Sequence, residues 1–176
     1  MKVIKRELKY EGIIFEIWRE TYISKNLQLQ REIVKFPETC AVLPITNDSK
    51  AILITQFRPP VKKEILEIPA GKIDFGEKPE EAAVRELQEE IKMRPNKLVK
   101  LGSFYLTPGY STEKIHLFLG LDLEESSLPH DIGEDIKIIE LPLEDLKMML
   151  YRGEVEDAKT ALALFYFFNY YDKCKR

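Results

Sequence analysis

The stretch Gly71-Lys-Ile-Asp-Phe-Gly-Glu-Lys-Pro-Glu-Glu-Ala-Ala-Val-Arg-Glu-Leu-Gln-Glu-Glu-Ile-Lys-Met93 is the most informative part of this chain. Pro79 suits the first position of a helix, because its missing N–H would have no partner there. Glu80 and Glu81 follow, where the positive end of the helix dipole favours acidic side chains. The sequence therefore predicts a helix that begins near Pro79.

Two faces of this helix differ in character. The spacings of Glu86, Glu89 and Glu90 place their carboxylates on one face. An adjoining apolar stripe, suited to packing on a sheet, consists of Ala83, Leu87 and Ile91. Because like charges at this spacing repel one another, the acidic face favours a bound cation, and carboxylate oxygens suit Mg²⁺ or Mn²⁺. The alternative is a solvated acidic face in a chain that is 32% charged.

Several positions of the stretch resemble the Nudix box, namely Gly71, Glu77, Arg85, Glu86, Glu89 and Glu90. The chain departs from the box at its second glycine, where Lys92 stands. A side chain disfavours the left-handed conformation that this glycine normally adopts. We therefore expect the helix to run past Lys92 and to stop at Arg94, which precedes Pro95.

Segments outside the box extend the resemblance to ADP-ribose pyrophosphatases over nearly the whole chain. They are Gln-Phe-Arg-Pro-Pro at 56–60, Glu-Ile-Pro-Ala-Gly at 67–71 and the loop 105–113, in which Pro108 matches a marker proline. Residues 153–160 resemble the entry to the last helix of these enzymes.

The resemblance implies an α+β fold, an α/β/α sandwich of the Nudix type with a mixed β-sheet between helices. It implies hydrolysis of the pyrophosphate bond of ADP-ribose to AMP and ribose 5-phosphate by an activated water. Two or three Mg²⁺ ions are expected per site, with Mn²⁺ as the alternative ion. The metal ligands implied by the resemblance are Glu86, Glu90, Glu89 and the carbonyl oxygen of Ala70, with Glu77 as a direct or indirect partner.

The resemblance also implies residues that assist the reaction. Arg85 is expected to hold the box acids in place, although it can equally pair with Glu81 or Glu89 within the helix. The general base is expected in the acidic loop 131–135, and Glu134 is the preferred candidate. Asp131 and Asp135 are the next candidates, and a solvated loop is the alternative.

Substrate recognition is assigned by resemblance to Arg58, Glu67, Phe57, Pro108 and Glu113. An aromatic ring such as Phe57 or Tyr105 could stack on adenine. The structural alternatives are that Arg58 pairs with Glu67 and that Phe57 lies in the core.

Residues 1–37 are predicted to form an N-terminal antiparallel ribbon, because 9–20 and 27–36 alternate apolar and polar residues. By resemblance this ribbon mediates a domain-swapped homodimer, and 38–176 form the hydrolase domain. Residues 39–57 predict a hairpin around a turn at 46–50. Further expected elements are strands at 98–105, 114–123 and 136–140, a helix at 143–151 that ends at Gly153, and a closing helix at 155–173.

Composition excludes several classes of partner. A net charge of −3 and a pI near 5.6 leave no broad basic surface for nucleic acid. The sequence lacks an apolar run long enough to span a bilayer and a secretory signal, so no membrane partner and a cytoplasmic location are expected. Cys40 and Cys174 are expected to be free thiols, and neither His116 nor His130 is a catalytic candidate.

Other functions remain open at this point. The same chemistry can act on another nucleoside diphosphate sugar or on a dinucleotide. A non-catalytic module that binds ADP-ribose is a different class of function, which the intact box acids disfavour. A purely structural role would mean that the match of these residues to the spacing of the Nudix box is a coincidence.

Overall fold

The computed structural model describes residues 2–25, 27–129 and 135–171. The chain forms two compact units. The first comprises Met1–Thr39 and Ser103–Ile115, and the second comprises Cys40–Gly102 and His116–Arg176.

The first unit contains the N-terminal antiparallel sheet. Its strands β1 (Lys2–Glu11), β2 (Glu16–Ser24) and β3 (Leu27–Lys35) lie in the order β1-β2-β3. The single strand predicted over 9–20 is wrong, because the chain turns at Gly12, whose N–H donates to the carbonyl of Phe15 at 3.0 Å. A Cβ at Gly12 would lie 2.6 Å from the ring of Tyr10, so a larger residue at this turn would force that ring to move. On β3, the carbonyl of Val34 accepts from the N–H of Thr112 at 3.0 Å.

The remaining strands form two sheets. They are β4 (Thr39–Pro44), β5 (Lys50–Arg58), β6 (Lys63–Glu67), β7 (Ala70–Lys72), β8 (Met93–Tyr105), β9 (Lys114–Glu125) and β10 (Ile136–Pro142). A four-stranded sheet has the order β7-β4-β9-β8, and a three-stranded sheet has the order β10-β5-β6. The sequence did not predict the short strands β6 and β7.

The predicted hairpin between β4 and β5 is wrong. The turn forms, with the N–H of Thr46 donating to the carbonyl of Lys50 at 2.9 Å, and an isolated bridge joins Ile45 to Ala51. Beyond that bridge the two strands enter different sheets. Both strands carry buried residues on both faces, and such strands suit the centre of a sheet. β4 accordingly lies between β7 and β9, and β5 lies between β10 and β6.

Helix α1 (Pro79–Glu90) begins where the sequence predicted. Its apolar stripe is buried, with Ala83 and Leu87 fully covered and Ile91 only 4% exposed. The stripe packs in one core cluster with residues of β4, β5 and β9, which are Cys40, Val42, Ile52, Ile54 and Phe118. Because one side of α1 is anchored in this way, its acidic face has a fixed position on the second unit.

The expected end of α1 at Arg94 is wrong. The helix ends at Glu90, and Lys92 adopts the left-handed conformation with φ of 61°. β8 then starts at Met93 and includes Pro95. Proline is compatible with this position because β8 lies at the end of its sheet.

The C-terminal helices complete the layered α/β/α arrangement. Helix α2 (Leu143–Arg152) ends at Gly153 as predicted, where φ is 71°. Helix α3 (Ala158–Tyr166) begins later than the predicted 155, because the Asp157 carboxylate caps it by accepting from the N–H of Thr160. A π-helical turn, Phe167–Tyr171, follows α3. Within the described ranges, no helix combines the length and apolarity needed to cross a membrane.

Candidate active site

The centre of the candidate site is the guanidinium of Arg85, which contacts three carboxylates of the predicted box. Its Nε donates to Glu77 at 3.0 Å, and its Nη1 donates to Glu86 at 2.7 Å and to Glu89 at 2.9 Å. Its Nη2 donates to Glu77 at 3.0 Å and to the backbone carbonyl of Lys72 at 2.9 Å. One side chain therefore joins the acidic face of α1 to β7 and to the loop before α1.

The contacts between Arg85 and Glu77 favour the charged form of each side chain. Hydrogen bonds from Arg85 lower the pKa of Glu77, and the backbone N–H of Asp74 lowers it further. Hydrogen bonding to Glu77 in turn raises the pKa of Arg85. Because the guanidinium lies among the acids, it offsets the repulsion that their spacing would otherwise cause.

Glu86 and Glu90 approach the backbone of β7 from α1. Glu90 is 3% exposed and accepts from the N–H of Ala70 at 3.1 Å. Glu86 is 8% exposed, and a Cβ built on Gly71 would lie 2.1 Å from its carboxylate. Glycine at position 71 is therefore required for the Glu86 carboxylate to occupy its place beside β7.

The donor set of this site suits a hard divalent cation. Glu86, Glu89, Glu90 and the nearby backbone of β7 offer oxygen atoms, the ligands that Mg²⁺ and Mn²⁺ prefer. As placed, no three His, Cys, Asp or Glu side chains form a metal-binding group among the residues that the structure describes. Oxygens of these carboxylates instead accept hydrogen bonds from Arg85 and from the N–H of Ala70.

A second charged cluster lies at the end of β6. Glu67 is 2% exposed, and its two oxygens accept from Nε and Nη2 of Arg58, each at 2.7 Å. Lys159 at the start of α3 also contacts Glu67 and lies 3.0 Å from Asp157. Burial alone would raise the pKa of Glu67, but Arg58 and Lys159 outweigh it, so this pKa is lowered.

The sequence missed the part that Lys159 and Asp157 play in this cluster. The only sequence signal for them was the resemblance of residues 153–160 to the last helix entry of ADP-ribose pyrophosphatases. The pairing of Arg58 with Glu67, one of the two alternatives, is present. It leaves the side chain of Arg58 39% exposed.

Other predicted residues lie elsewhere. Phe57 is 52% exposed, so the alternative that placed it in the core is wrong. Pro108 and Glu113 belong to the first unit, where the N–H of Leu106 donates to the carbonyl of Glu113 at 3.3 Å.

The candidate bases fall mostly outside the described residues. Glu134 and Asp131 lie outside them, as do His130 and Cys174, whereas Asp135 is described and exposed. Cys40 is a free, buried cysteine, and burial followed by the charge of Glu86 raises its pKa to about 12. Its thiol is therefore protonated at neutral pH and is not a nucleophile.

The chain is similar to known proteins over most of its length. Residues 35–164 match the family described as NUDIX domain. The ADP-ribose pyrophosphatase of Bacillus subtilis (strain 168) is 39% identical over 168 residues, which cover 94% of this chain and 91% of that protein. The methanol dehydrogenase activator of Bacillus methanolicus is 36% identical, with the same coverage of 94% and 91%. A crystal structure described as an ADP compounds hydrolase superposes with a TM-score of 0.88 at 26% identity, covering 99% of this chain and 96% of that chain.

The lowered pKa of Glu67 predicts that part of the free energy of unfolding is lost at acidic pH. The pKa of Glu67 lies below its ordinary value of 4.5 in the folded protein, so its charge stabilises the fold above that pH. This contribution is lost as the pH falls through the lowered value. We expect Glu67→Gln to destabilise the protein at pH 7 by about 1–3 kcal/mol, because two cations lose their partner.

The measurement is urea unfolding at pH 7, 5, 4 and 3.5. The difference between wild type and Glu67→Gln should shrink below pH 4.5. Glu64→Gln, on the same strand but exposed, is the matched control and should change stability by less than about 0.5 kcal/mol. A Glu67→Gln deficit that stays constant across this range would contradict the assignment.

Proposed function

The chain belongs to the Nudix family and is a pyrophosphatase of that family, and we propose that it hydrolyses the pyrophosphate bond of ADP-ribose to AMP and ribose 5-phosphate. The observation that carries this proposal is the gathering of Glu77, Glu86 and Glu89 on Arg85, next to Glu90. The substrate follows the B. subtilis relative, which is named for ADP-ribose, and the flanking segments that resemble such enzymes.

We propose that the site binds two or three divalent cations, either Mg²⁺ or Mn²⁺. Bound cations would screen the negative phosphate oxygens and make a water molecule more nucleophilic. The residues that would hold them are Glu86, Glu90, Glu89 and the carbonyl oxygen of Ala70. The oxygen-only donor set and the close approach of Glu86 to Gly71 support this assignment.

The chain's own residues arrange the reaction. Arg85 sets the orientation of three carboxylates through direct contacts, so the protein itself offsets the repulsion between them. Glu134 is proposed as the general base that takes the proton from the attacking water, with Asp131 and Asp135 as the neighbouring acids. Attack of the water would form a P–O bond at one phosphorus and break the bond from that phosphorus to the bridging oxygen, so that AMP and ribose 5-phosphate each leave with one phosphate group.

We propose that Arg58 binds the anionic part of the substrate. Its guanidinium donates to both oxygens of Glu67 and is therefore pre-oriented, and the side chain as a whole stays 39% exposed. Phe57, with half of its surface exposed, offers a ring face for adenine, and Tyr105 of the first unit is the alternative. Pro108 and Glu113, which belong to the first unit, are proposed as recognition residues on the resemblance to ADP-ribose pyrophosphatases alone.

We also propose that the chain works as a domain-swapped homodimer. The three-stranded N-terminal sheet leaves large apolar side chains 43% to 65% exposed, namely Val3, Ile4, Leu8, Tyr10, Ile23 and Leu27. No helix is among the described elements of the first unit, so these side chains lack a helical cover within it. Apolar surface of this kind favours a protein partner, and a second copy of the chain supplies the same sheet.

Hydrolysis of a substrate panel tests the function. We expect Mg²⁺-dependent release of AMP from ADP-ribose, well above turnover of GDP-mannose, NADH and diadenosine polyphosphates, as measured by chromatography of the products. Glu90→Gln should lower kcat by about 100-fold or more, because a proposed cation ligand is lost. Its fold should survive, since the amide oxygen can still accept from the N–H of Ala70.

The matched control for this variant is Glu80→Gln, an exposed acid in the first turn of the same helix. It should leave kcat unchanged. Preferred turnover of another panel member would support pyrophosphate hydrolysis but show that the proposed substrate is wrong. Binding of ADP-ribose without turnover of any member would instead favour a binding module.

Glu134→Gln tests the proposed base. We expect kcat to fall by about 100-fold or more, because general-base catalysis typically contributes that much. The affinity for ADP-ribose should change little, and the lower limb of the pH profile of kcat should be lost. Unchanged turnover would remove Glu134 as the base, and Asp131→Asn and Asp135→Asn would then show whether a neighbouring acid acts instead. Unchanged turnover in all three variants would favour a solvated loop.

Light scattering after gel filtration tests the dimer. We expect a mass about twice the 20.6 kDa of the chain. Ile4→Glu, which introduces a charge into the exposed apolar set, should shift the protein toward the monomer. Gln28→Glu, at an exposed polar position of β3, should not. A monomeric wild type at micromolar concentration would end this proposal.

A further inference from the structure

Lys92 stands in an unfavourable backbone conformation at the exit of α1. Its φ of 61° is left-handed, a region that side chains disfavour and that glycine adopts freely. The Nudix box pattern has glycine at this position, so the chain carries a lysine where the pattern has no side chain. A compensating interaction of that side chain would explain why lysine is tolerated.

The structure shows such an interaction. The Lys92 Nζ donates to the backbone carbonyl of Glu89 at 2.7 Å and to that of Leu128 at 2.5 Å. The first acceptor belongs to the last turn of α1, and the second belongs to the chain that follows β9. A glycine cannot make either contact.

Neighbouring hydrogen bonds join the same two segments. The N–H of Ser126 donates to the carbonyl of Lys92 at 3.0 Å, and the N–H of Leu128 donates to the carbonyl of Gln88 at 3.1 Å. The Gln88 Nε2 also donates to the hydroxyl of Ser126 at 2.6 Å. The last turn of α1 and residues 126–128 are therefore held in one register.

Both segments lead to proposed catalytic groups. The last turn of α1 carries Glu89 and Glu90, and in sequence the chain continues from Leu128 to the acidic loop that contains Glu134. We propose that Lys92 is a positioning residue, whose ammonium fastens the cation-binding end of α1 to the segment that leads to the general base. This inference rests on the proposed function and adds to it a residue that the Nudix pattern does not include.

A series of substitutions separates the backbone effect from the ammonium effect. Lys92→Gly removes the ammonium and relieves the strained φ, whereas Lys92→Ala removes the ammonium and keeps the strain. Lys92→Arg keeps a cationic donor. Lys100→Ala, which truncates an exposed lysine on β8, is the matched control. Thermal unfolding and steady-state kinetics with ADP-ribose are measured for each variant.

We expect kcat to fall by about 10-fold in both Lys92→Gly and Lys92→Ala, an effect typical of losing a group that orients metal ligands. KM should change by less than about twofold. Lys92→Gly should nevertheless unfold about 2–4 °C above Lys92→Ala, because glycine tolerates the left-handed conformation. Lys92→Arg should recover about half of the wild-type kcat, since its guanidinium can donate to the same carbonyls. The amides of Ser126 and Leu128 should exchange hydrogen faster in the Gly and Ala variants than in the wild type and in Lys100→Ala.

Wild-type kcat in Lys92→Gly would overturn the inference, since the ammonium would then be dispensable. A kcat that follows the unfolding temperature across the series would also overturn it, because the role would then be structural only. These outcomes differ from failure of the proposed function, in which the wild type itself would not hydrolyse ADP-ribose. If another panel member is the substrate, the same series measured with that substrate decides the question.

Discussion

The arrangement of the site depends on one interaction, the insertion of the Arg85 guanidinium among Glu77, Glu86 and Glu89. Carboxylates one turn apart on a helix repel each other, and partial burial strengthens that repulsion because water screens it less. A single planar cation with several N–H donors can offset this repulsion and fix the direction of each carboxylate. The same side chain also bonds to the carbonyl of Lys72, so the acidic face of α1 and β7 are positioned together.

Packing supplies the second constraint, because the acids can converge only if α1 has a fixed orientation on the sheet. Ala83, Leu87 and Ile91 are buried against strands of both sheets. Gly71 removes the one Cβ that would occupy the place of the Glu86 carboxylate. Core packing and local chemistry are therefore coupled through a helix that is apolar on one side and acidic on the next.

Much of the candidate site was predictable, because its residues lie within a short stretch and the helix periodicity determines which of them share a face. The start of α1 at Pro79, its buried stripe and its acidic face all follow from a period of 3.6 residues. The wrong predictions are of two kinds. The strand over 9–20 and the end of α1 were wrong because of local turns at Gly12 and Lys92, whereas the hairpin was wrong in its choice of distant strand partners. The turn at 46–50 did not reveal that β4 and β5 would enter different sheets, and the missing box glycine did not reveal that Lys92 would still turn left-handed.

The sequence by itself determined the helix of the box, the residue types on each of its faces and the membership of the Nudix family. Only the tertiary structure decided the order of the strands, the place where α1 ends and the meeting of Glu67 with both Arg58 and Lys159. The physical reason is the separation along the sequence between the residues that interact. Helix patterns depend on interactions between residues one turn apart, whereas strand partners and buried ion pairs depend on which distant segments pack together, and that choice is made by the whole core.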